Sequence, residues 1–217
     1  MNNMKKIVIF GGTGGLGVKL IPLLEKKYEV ISLGSKDVDV TDLFQVTEFF
    51  DENDVDIILN LSGKQYDVYL GKINGGNELD VNDMLDVNIK GNVNILAGAL
   101  PKLTEKKWGR IISISSVLST TNVPKASLYS ASKAFIDRLM SAANKENIRF
   151  GVTCNSIQLG YWDGGMCERL KPEFKEIVIK SIGLRRWGKM EELYNTIDFI
   201  IENEYVCGTN IRIDGGL

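Results

Sequence analysis

The chain has 217 residues, with 26 Lys and Arg against 28 Asp and Glu and no His. This length can bury a sizeable core, and the 44% hydrophobic and 25% charged fractions exclude intrinsic disorder and a fibrous protein. The net charge of −2 argues against nucleic acid as the main partner, because a phosphate backbone attracts a cationic face. Without His, the chain can form no Ser-His-Asp triad, Cys-His dyad or His-ligated metal site, and we expect no metal.

The cysteine count and the N-terminus predict the compartment. Cys154, Cys167 and Cys207 are odd in number, widely spaced and without a CxxC pair, which favours a reducing compartment over a disulfide framework. Lys5 and Lys6 precede an apolar run of only about six residues, too short for a signal-peptide core or a membrane span. We therefore expect a cytoplasmic protein that does not contact a membrane.

Apolar runs alternate with longer helical stretches along the chain. Strands are predicted at residues 7–10, 30–33, 57–61, 110–114, 151–157 and 210–213, and helices at 16–27, 82–103, 127–144, 172–181 and 190–202. The strand runs are nearly continuous in apolar residues, which is typical of strands buried on both faces of a parallel sheet. The pattern predicts a single α/β domain over residues 1–217, a Rossmann-like doubly wound parallel sheet with helices on both faces.

A glycine-rich loop follows the first predicted strand and leads into the first helix. Glycine permits backbone angles that side chains block, and it lets a pyrophosphate approach the amide groups at a helix N-terminus. The position between strand and helix predicts a nucleotide site. The cofactor-binding candidates in this loop are Gly11, Thr13, Gly14, Gly15, Leu16 and Gly17.

The residues after the second strand favour NADP(H) over NAD(H). An NAD site usually has an acidic residue here for the ribose 2′-hydroxyl, whereas a 2′-phosphate needs donors or a cation. Gly34 stands where the acid is expected, and Ser35 and Lys36 supply a hydroxyl and an ammonium. We therefore add Ser35 and Lys36 to the cofactor site.

Tyr129 and Lys133 are four residues apart in a predicted helix, which places a phenol and an ammonium on one face. A nearby cation favours the phenolate and is expected to lower the tyrosine pKa from about 10 towards working pH. The pair predicts that Tyr129 is a general acid or base.

Together these segments resemble the short-chain dehydrogenase/reductase family from Lys6 to Leu217. The family's TGxxxGxG loop is matched by three glycines, and its other blocks follow in order. Those blocks are Asp39-Val40, Asn60-Leu61-Ser62-Gly63, Asn88, Ser116 thirteen residues before Tyr129, the YxxxK pair, Asn155 to Gly160, 184–192 and 209–216. The resemblance implies an oxidoreductase.

In that family, a hydride moves between C4 of the nicotinamide and a carbonyl or alcohol carbon. The resemblance implies that Tyr129 transfers the oxygen's proton, Lys133 lowers the Tyr129 pKa and binds the ribose, Ser116 bonds the substrate oxygen, and Asn88 holds a water in a proton relay. It also adds cofactor-binding residues to Tyr129 and Lys133, namely Asp39, Val40, Leu61, Ser62, Gly63, Leu159 and Gly160.

Several positions depart from the family pattern. Few residues separate the second strand from Asp39, so we expect a third strand that is short or nearly fused to the second. This shortening is similar to members that act on nucleotide sugars. Gly164 replaces the usual threonine that touches the carboxamide, and only residues 161–182 remain as a lid, with Tyr161, Trp162 and Met166 as candidate pocket residues.

Three functions stay open. The first is an NADP-dependent carbonyl reductase or alcohol dehydrogenase, similar to 3-oxoacyl carrier reductases, and the second is a ketoreductase that acts on a nucleotide sugar. The third is a non-catalytic NADP(H)-binding regulatory subunit, suggested by the changed Leu61, Leu159 and Gly164 positions. The resemblance also implies a homodimer or homotetramer that forms through the helices containing Asn88 and Tyr129 and through the C-terminal strand.

Overall fold

Six parallel strands form one sheet in the computed structural model, which describes residues 4–165, 167 and 171–217. The strands are β1 (Lys6–Phe10), β2 (Glu29–Leu33), β3 (Ile57–Asn60), β4 (Gly109–Ser116), β5 (Val152–Leu159) and β6 (Asn210–Ile213). Their order across the sheet is β2-β1-β3-β4-β5-β6, and every neighbouring pair is parallel. The predicted parallel α/β sheet is confirmed.

Seven helices are described: α1 (Gly15–Leu24), α2 (Leu43–Glu52), α3 (Glu78–Leu85), α4 (Gly91–Lys106), α5 (Ser127–Asn147), α6 (Pro172–Ser181) and α7 (Met190–Glu202). One core packs α2, α4 and α5 against a sheet face, and a second core packs α1 and α7 against the other face. Helices on both faces exclude water from the middle strands and confirm the doubly wound arrangement. No helix within the described ranges is long and apolar enough to span a membrane.

The expected third strand does not form. Residues 34–42, all of them described, follow turns, and β2 is the edge of the sheet. Asp37 accepts from the Gly34 amide at 2.7 Å, and Asp39 accepts from the Thr41 amide at 2.9 Å. These Asx-type bonds satisfy backbone groups locally and stabilise turns in place of a strand ladder.

Two helices differ from the sequence expectation. The helix predicted at 82–103 is divided into α3 and α4 by a π-helical turn at Asp86–Lys90. The second, α2, was not predicted, although Asp42 is its N-cap and accepts from the Phe44 amide at 2.9 Å. The acidic residue and a glutamine three positions later are a capping signal in the sequence.

The two central strands β4 and β5 extend further at their carboxyl ends than predicted. This edge of the sheet is where the candidate site lies. β4 extends to Ser116 and β5 to Leu159, and the two strands pair residue by residue up to that end. Binding sites of open α/β sheets lie outside the carboxyl ends of the strands. The glycine loop after β1 and the loop after β3 reach the same edge.

Candidate active site

The glycine loop brings the backbone close to neighbouring chain segments. Gly11 has φ +77°, and a Cβ there would lie 2.7 Å from the Ser62 amide nitrogen. A Cβ at Gly17 would lie 2.3 Å from the Gly12 oxygen, so α1 packs directly on the loop. No side chain caps the N-terminus of α1, whose N-cap is Gly14. The loop therefore fits a pyrophosphate, which amide groups at a helix N-terminus bind.

The turn after β2 carries charges of both signs. Ser35 and Lys36 lie in this turn and are exposed. Asp37, which the sequence analysis missed, directs one carboxylate oxygen to the Gly34 amide at 2.7 Å. The sequence feature that could have identified Asp37 is an acidic residue three positions after Gly34, close to where an acid that binds a ribose is expected. A carboxylate here favours a ribose hydroxyl, whereas Lys36 favours a phosphate.

Asp39 and Val40 lie at the start of the next turn. The Asp39 carboxylate accepts from the amide and the hydroxyl of Thr41 at 2.9 and 2.8 Å. Val40 is buried, and its backbone oxygen accepts from the Asn94 side chain on α4 at 2.9 Å. The turn is thereby fixed to α4, next to the end of β1.

A chain of buried amides orders the loop after β3. Asn60 ends β3, donates to Asn92 Oδ1 at 2.9 Å and accepts from the Ser62 amide at 2.9 Å. Asn92 in turn donates to the Asn88 backbone oxygen at 2.8 Å. This network holds Leu61, Ser62 and Gly63 at the strand end, and the sequence analysis assigned no role to Asn60 and Asn92.

Asn88 lies in the π-helical turn, and its side chain binds the backbone of the loop after β3. Its Oδ1 accepts from the Lys64 amide and its Nδ2 donates to the Lys64 oxygen, both at 2.8 Å. Nδ2 also bonds Ser132 Oγ on α5 at 3.0 Å. A Cβ at Gly63 would lie 3.3 Å from Lys133 Nζ and 3.5 Å from Asn88 Oδ1, so both groups face the same glycine.

A cavity of about 170 Å³ lies at the carboxyl ends of β4 and β5. It brings together three of the four predicted catalytic residues, Ser116, Tyr129 and Lys133, and Asn88 lies next to it through Gly63. Predicted cofactor residues also line it, namely Leu16, Leu61, Gly63, Leu159 and Gly160. Gln65, Leu118, Tyr161, Trp162 and Cys167 also line it.

The pKa of Tyr129 is raised to about 12, opposite to the sequence expectation. Burial is the largest cause, because a phenolate in a dry site loses hydration, while a hydrogen bond with the Ser116 hydroxyl lowers the pKa. Charges of Cys167 and Asp67 raise it further. The lowering expected from Lys133 is not seen in this structure, in which the ammonium donates to the Ile114 oxygen.

Lys133 is buried, with 3% of its surface exposed. Its Nζ lies 5.6 Å from the centre of the Tyr129 ring and donates to the Ile114 oxygen at 2.9 Å. Burial lowers the pKa of Lys133 to about 8, because the charged form loses hydration, and the Asp137 carboxylate opposes this shift. Lys133 is therefore poised to change its charge near working pH.

The first residues of the predicted lid pack onto the glycine loop. A Cβ at Gly15 would lie 2.7 Å from the Gly165 amide nitrogen, and Lys19 Nζ donates to the Asp163 oxygen at 3.1 Å. Tyr161 and Trp162 line the cavity as predicted. Met166 and residues 168–170 of the predicted lid lie outside the described residues. The described first residues of this segment therefore contact the start of α1, next to the glycine loop.

A larger cavity of about 290 Å³ lies on the other side of Tyr161 and Trp162. Its charged groups are already paired, since Arg186 binds both oxygens of Glu192 at 2.9 and 2.6 Å. It contains none of the predicted catalytic residues. The smaller cavity is therefore the candidate active site, although it has less volume.

Comparison with known proteins identifies the family. The model of the family described as short chain dehydrogenase matches residues 36–174, more than half of the chain. The chain is a member of the short-chain dehydrogenase/reductase family. A second model, described as RmlD substrate binding domain, matches residues 4–66.

The similar proteins include named reductases. A 3-oxoacyl-[acyl-carrier-protein] reductase FabG of Staphylococcus aureus is 30% identical over 165 residues, which are 75% of this chain and 66% of that relative. The chain thus spans just under two thirds of that relative's length. The FabG of Rickettsia felis is 26% identical over 98% of this chain and 96% of its own.

Solved structures share the fold of this short-chain dehydrogenase/reductase. The structure of ElxO with NADP bound has a TM-score of 0.88 and 21% identity, covering 99% of this chain and 98% of that one. The 3-oxoacyl-[acyl-carrier protein] reductase from Brucella melitensis has a TM-score of 0.86 and 18% identity, covering 100% and 92%. At these identities the likeness establishes the fold.

Proposed function

We propose that this protein is an NADP-dependent carbonyl reductase or alcohol dehydrogenase in which Tyr129 is the general acid or base. The observation that carries the proposal is the cavity that joins Ser116, Tyr129 and Lys133 to the glycine-loop side of the sheet edge. The NADP bound in the ElxO structure and the FabG relatives support the cofactor and the reaction class. We further propose that residues 1–217 act as one nucleotide-binding domain.

The residues at the cavity suit a bound NADP(H). The amides at the N-terminus of α1 would hold the pyrophosphate, Ser35 and Lys36 the 2′-phosphate, and Asp39 and Val40 the adenine. Lys133 would bind the nicotinamide ribose, and Gly63, Leu159 and Gly160 would border the ring. When bound, the nicotinamide accepts or supplies the hydride.

Tyr129 and its neighbours would handle the proton. Tyr129 is protonated at neutral pH because its pKa is about 12, so in the reductive direction it can donate a proton to the carbonyl oxygen. Ser116, which bonds the phenol, would orient that oxygen. The Lys133 ammonium would stabilise the phenolate that is left once it turns from the Ile114 oxygen towards the phenol. Asn88 would hold the loop that covers Lys133, where a relay water could return the proton.

The nucleotide-sugar ketoreductase remains a second candidate because the model named RmlD substrate binding domain matches residues 4–66. The absent third strand, which leaves β2 at the sheet edge, supports the same reading. The cavity lining argues for a less charged substrate. Among the described lining residues, Lys133 is the one Lys or Arg, so no separate cation is available there for a substrate diphosphate.

Thermal shift with NADP⁺, NADPH, NAD⁺ and NADH in parallel tests the proposal first. A nucleotide at a hundred times its Kd adds about 2.7 kcal/mol, which raises the melting temperature by roughly 5–10 °C in a chain of this size. We expect the phosphorylated forms to stabilise more, followed by NADPH oxidation with a panel of neutral ketones and aldehydes. Stabilisation without turnover of any carbonyl would favour the regulatory subunit, and no stabilisation at all would contradict the proposal.

A homodimer or homotetramer and a cytoplasmic location stay predictions. Light scattering of the purified chain would test the first, and a monomer would contradict it. A small-molecule substrate is expected in either assembly, because the cavity has a volume of only about 170 Å³.

A further inference from the structure

Asp137 is a buried carboxylate below the proposed catalytic residues. It lies on α5 and has 6% of its surface exposed. Its Oδ1 accepts from Ser156 Oγ at 2.6 Å and its Oδ2 accepts from Gln158 Nε2 at 2.7 Å, both donors being neutral side chains of β5. In the described part of the chain no Lys or Arg nitrogen lies within 4.0 Å of it. Burying a carboxylate without a direct cation is unfavourable, so its retention needs a physical reason.

The reason lies one helical turn away. Tyr129, Lys133 and Asp137 are spaced by four residues, and residues at this spacing have Cβ atoms about 5–6 Å apart on one face of a helix. Lys133 and Asp137 are both buried: Lys133 lies against β4, where Ser115 Oγ bonds its backbone oxygen at 3.1 Å, and Asp137 lies against the paired strand β5. Charges interact more strongly in such an interior than in water.

Other charged groups around α5 are poorly placed to compensate Lys133. β5 and the turn Val117–Ser119 contain no charged residue, and Arg110 of β4 is bonded to Ile201 and Glu204 at the opposite end of the sheet. The charged residues of the other elements packed on α5, and those of α5 itself, are exposed: Glu78, Asp80, Asp83, Asp86, Lys90, Lys102, Glu105, Lys106, Arg138, Lys145, Glu146 and Arg149. Asp67, on the loop after β3, is exposed and raises the pKa of Tyr129, as does Cys167 in the cavity lining.

We propose that Asp137 is a positioning residue that keeps the buried Lys133 side chain in its ammonium form, with Ser156 and Gln158 holding the carboxylate in place. The inference rests on the proposed function, in which Lys133 stabilises the Tyr129 phenolate. The electrostatic influence of Asp137 raises the pKa of Lys133 against the lowering by burial. No carbonyl compound or cofactor touches Asp137 in this role.

The test is an NMR titration of lysine labelled at Cε and Nζ, with the Lys133 signal assigned by its loss in Lys133→Arg. In the wild type we expect Lys133 to titrate near pH 8. Asp137→Asn removes the charge, and we expect the Lys133 pKa to fall by about one unit. Asp137→Glu keeps the charge and should restore most of the wild-type value. If Asp137→Asn does not fold, Asp137→Ser gives a neutral, smaller donor and acceptor for the same measurement.

Glu146→Gln is the matched control, because it removes the same charge from an exposed position of the same helix. Glu146→Gln should leave the Lys133 pKa unchanged, because solvent and salt screen an exposed charge. A purely structural Asp137 would lower the melting temperature of Asp137→Asn and leave the Lys133 pKa unchanged, and that result would overturn the inference.

The titration needs neither substrate nor cofactor, so it is independent of the proposed function. If Tyr129→Phe keeps full turnover, the proposed function fails while the titration still decides the role of Asp137. For a carbonyl compound that is turned over, the basic limb of the kcat profile in Asp137→Asn should move to lower pH by the same shift, with KM unchanged. A kcat profile that does not move while the Lys133 titration does would contradict the catalytic part of the inference.

Discussion

The Lys133 ammonium donates a 2.9 Å hydrogen bond to the backbone oxygen of Ile114, the residue two positions before Ser116 on β4. This bond holds the ammonium at the carboxyl end of β4. The Nζ atom lies 5.6 Å from the centre of the Tyr129 ring. Phenol, hydroxyl and ammonium therefore belong to one cavity, while the ammonium is shared with the backbone. The proposed proton-transfer role of Tyr129 and the proposed electrostatic role of Lys133 can be tested separately.

Tyr129→Phe should lower kcat by about 10²–10⁴-fold, because it removes the proposed general acid and keeps the ring packing. Nucleotide stabilisation in the thermal shift should stay within a few degrees of the wild type, since the ring remains buried. The measurement is NADPH oxidation at saturating carbonyl compound. Tyr28→Phe is a matched control, because it removes a buried phenol that bonds Asp198 far from the cavity. A Tyr129→Phe protein with wild-type kcat would contradict the assigned mechanism.

The buried Lys133 should make stability depend on pH in a defined direction. Its pKa is about 8 in the folded protein against 10.5 for an ordinary lysine, so between these values the unfolded chain binds more protons. The contribution of Lys133 to the free energy of unfolding therefore rises with pH between these two values. Below pH 8 the buried ammonium destabilises the folded protein most. Lys133→Met should be more stable than wild type at pH 7, and this advantage should shrink by about 1–2 kcal/mol by pH 9.5.

Denaturant unfolding of both proteins at the two pH values measures this difference. Comparing the pair cancels the titration of other groups, such as the Cys154 thiol, whose pKa burial raises to about 12. Lys145→Met, at an exposed position of α5, should show no such change with pH. An advantage of Lys133→Met that is constant or grows with pH would contradict the lowered pKa.

Asn88→Ala should destabilise the protein by about 1–3 kcal/mol, because it leaves buried polar groups without partners. It removes both 2.8 Å bonds to the Lys64 backbone and the bond to Ser132. Asn88→Asp keeps the acceptor for the Lys64 amide but loses the donor to the Lys64 oxygen, so we expect an intermediate loss. Thermal unfolding and kcat should fall in the same order, and an unchanged Asn88→Ala protein would contradict the role of Asn88 in binding the loop after β3.

Much of the fold follows from the sequence, and the exceptions have local causes. The buried strands and the tight turn at Gly11 were predictable because buried parallel strands require apolar residues and a turn with positive φ favours glycine. The turns at 34–42 were not, because their stability comes from Asp37 and Asp39 bonding nearby amides. The direction of the Tyr129 pKa shift also escaped prediction, since the spacing of Tyr129 and Lys133 contains no information about how deeply the phenol is buried.

Gly11→Ala should destabilise the protein by about 2 kcal/mol or more and abolish nucleotide stabilisation. An alanine at φ +77° is strained, and its Cβ would lie 2.7 Å from the Ser62 amide nitrogen, so the loops after β1 and β3 must separate. Gly75→Ala is the matched control, because a Cβ there meets nothing within 4 Å. Melting curves with and without NADP⁺ measure both effects. Wild-type behaviour of Gly11→Ala would contradict the close approach of the two loops.

The turn after β2 should decide between the two nucleotides through opposite charges. Lys36→Ala should weaken NADP⁺ binding by about tenfold and leave NAD⁺ binding unchanged, because it removes a cation from the expected 2′-phosphate position. Asp37→Asn should strengthen NADP⁺ binding, since its amide oxygen can still accept from Gly34 while the negative charge is lost. Calorimetric titration of each variant with both nucleotides measures the Kd values, and Lys26→Ala, an exposed charge at the far end of α1, is the control. If Lys36→Ala weakens both nucleotides equally, Lys36 contributes only general attraction, and the preference for NADP(H) must have another source.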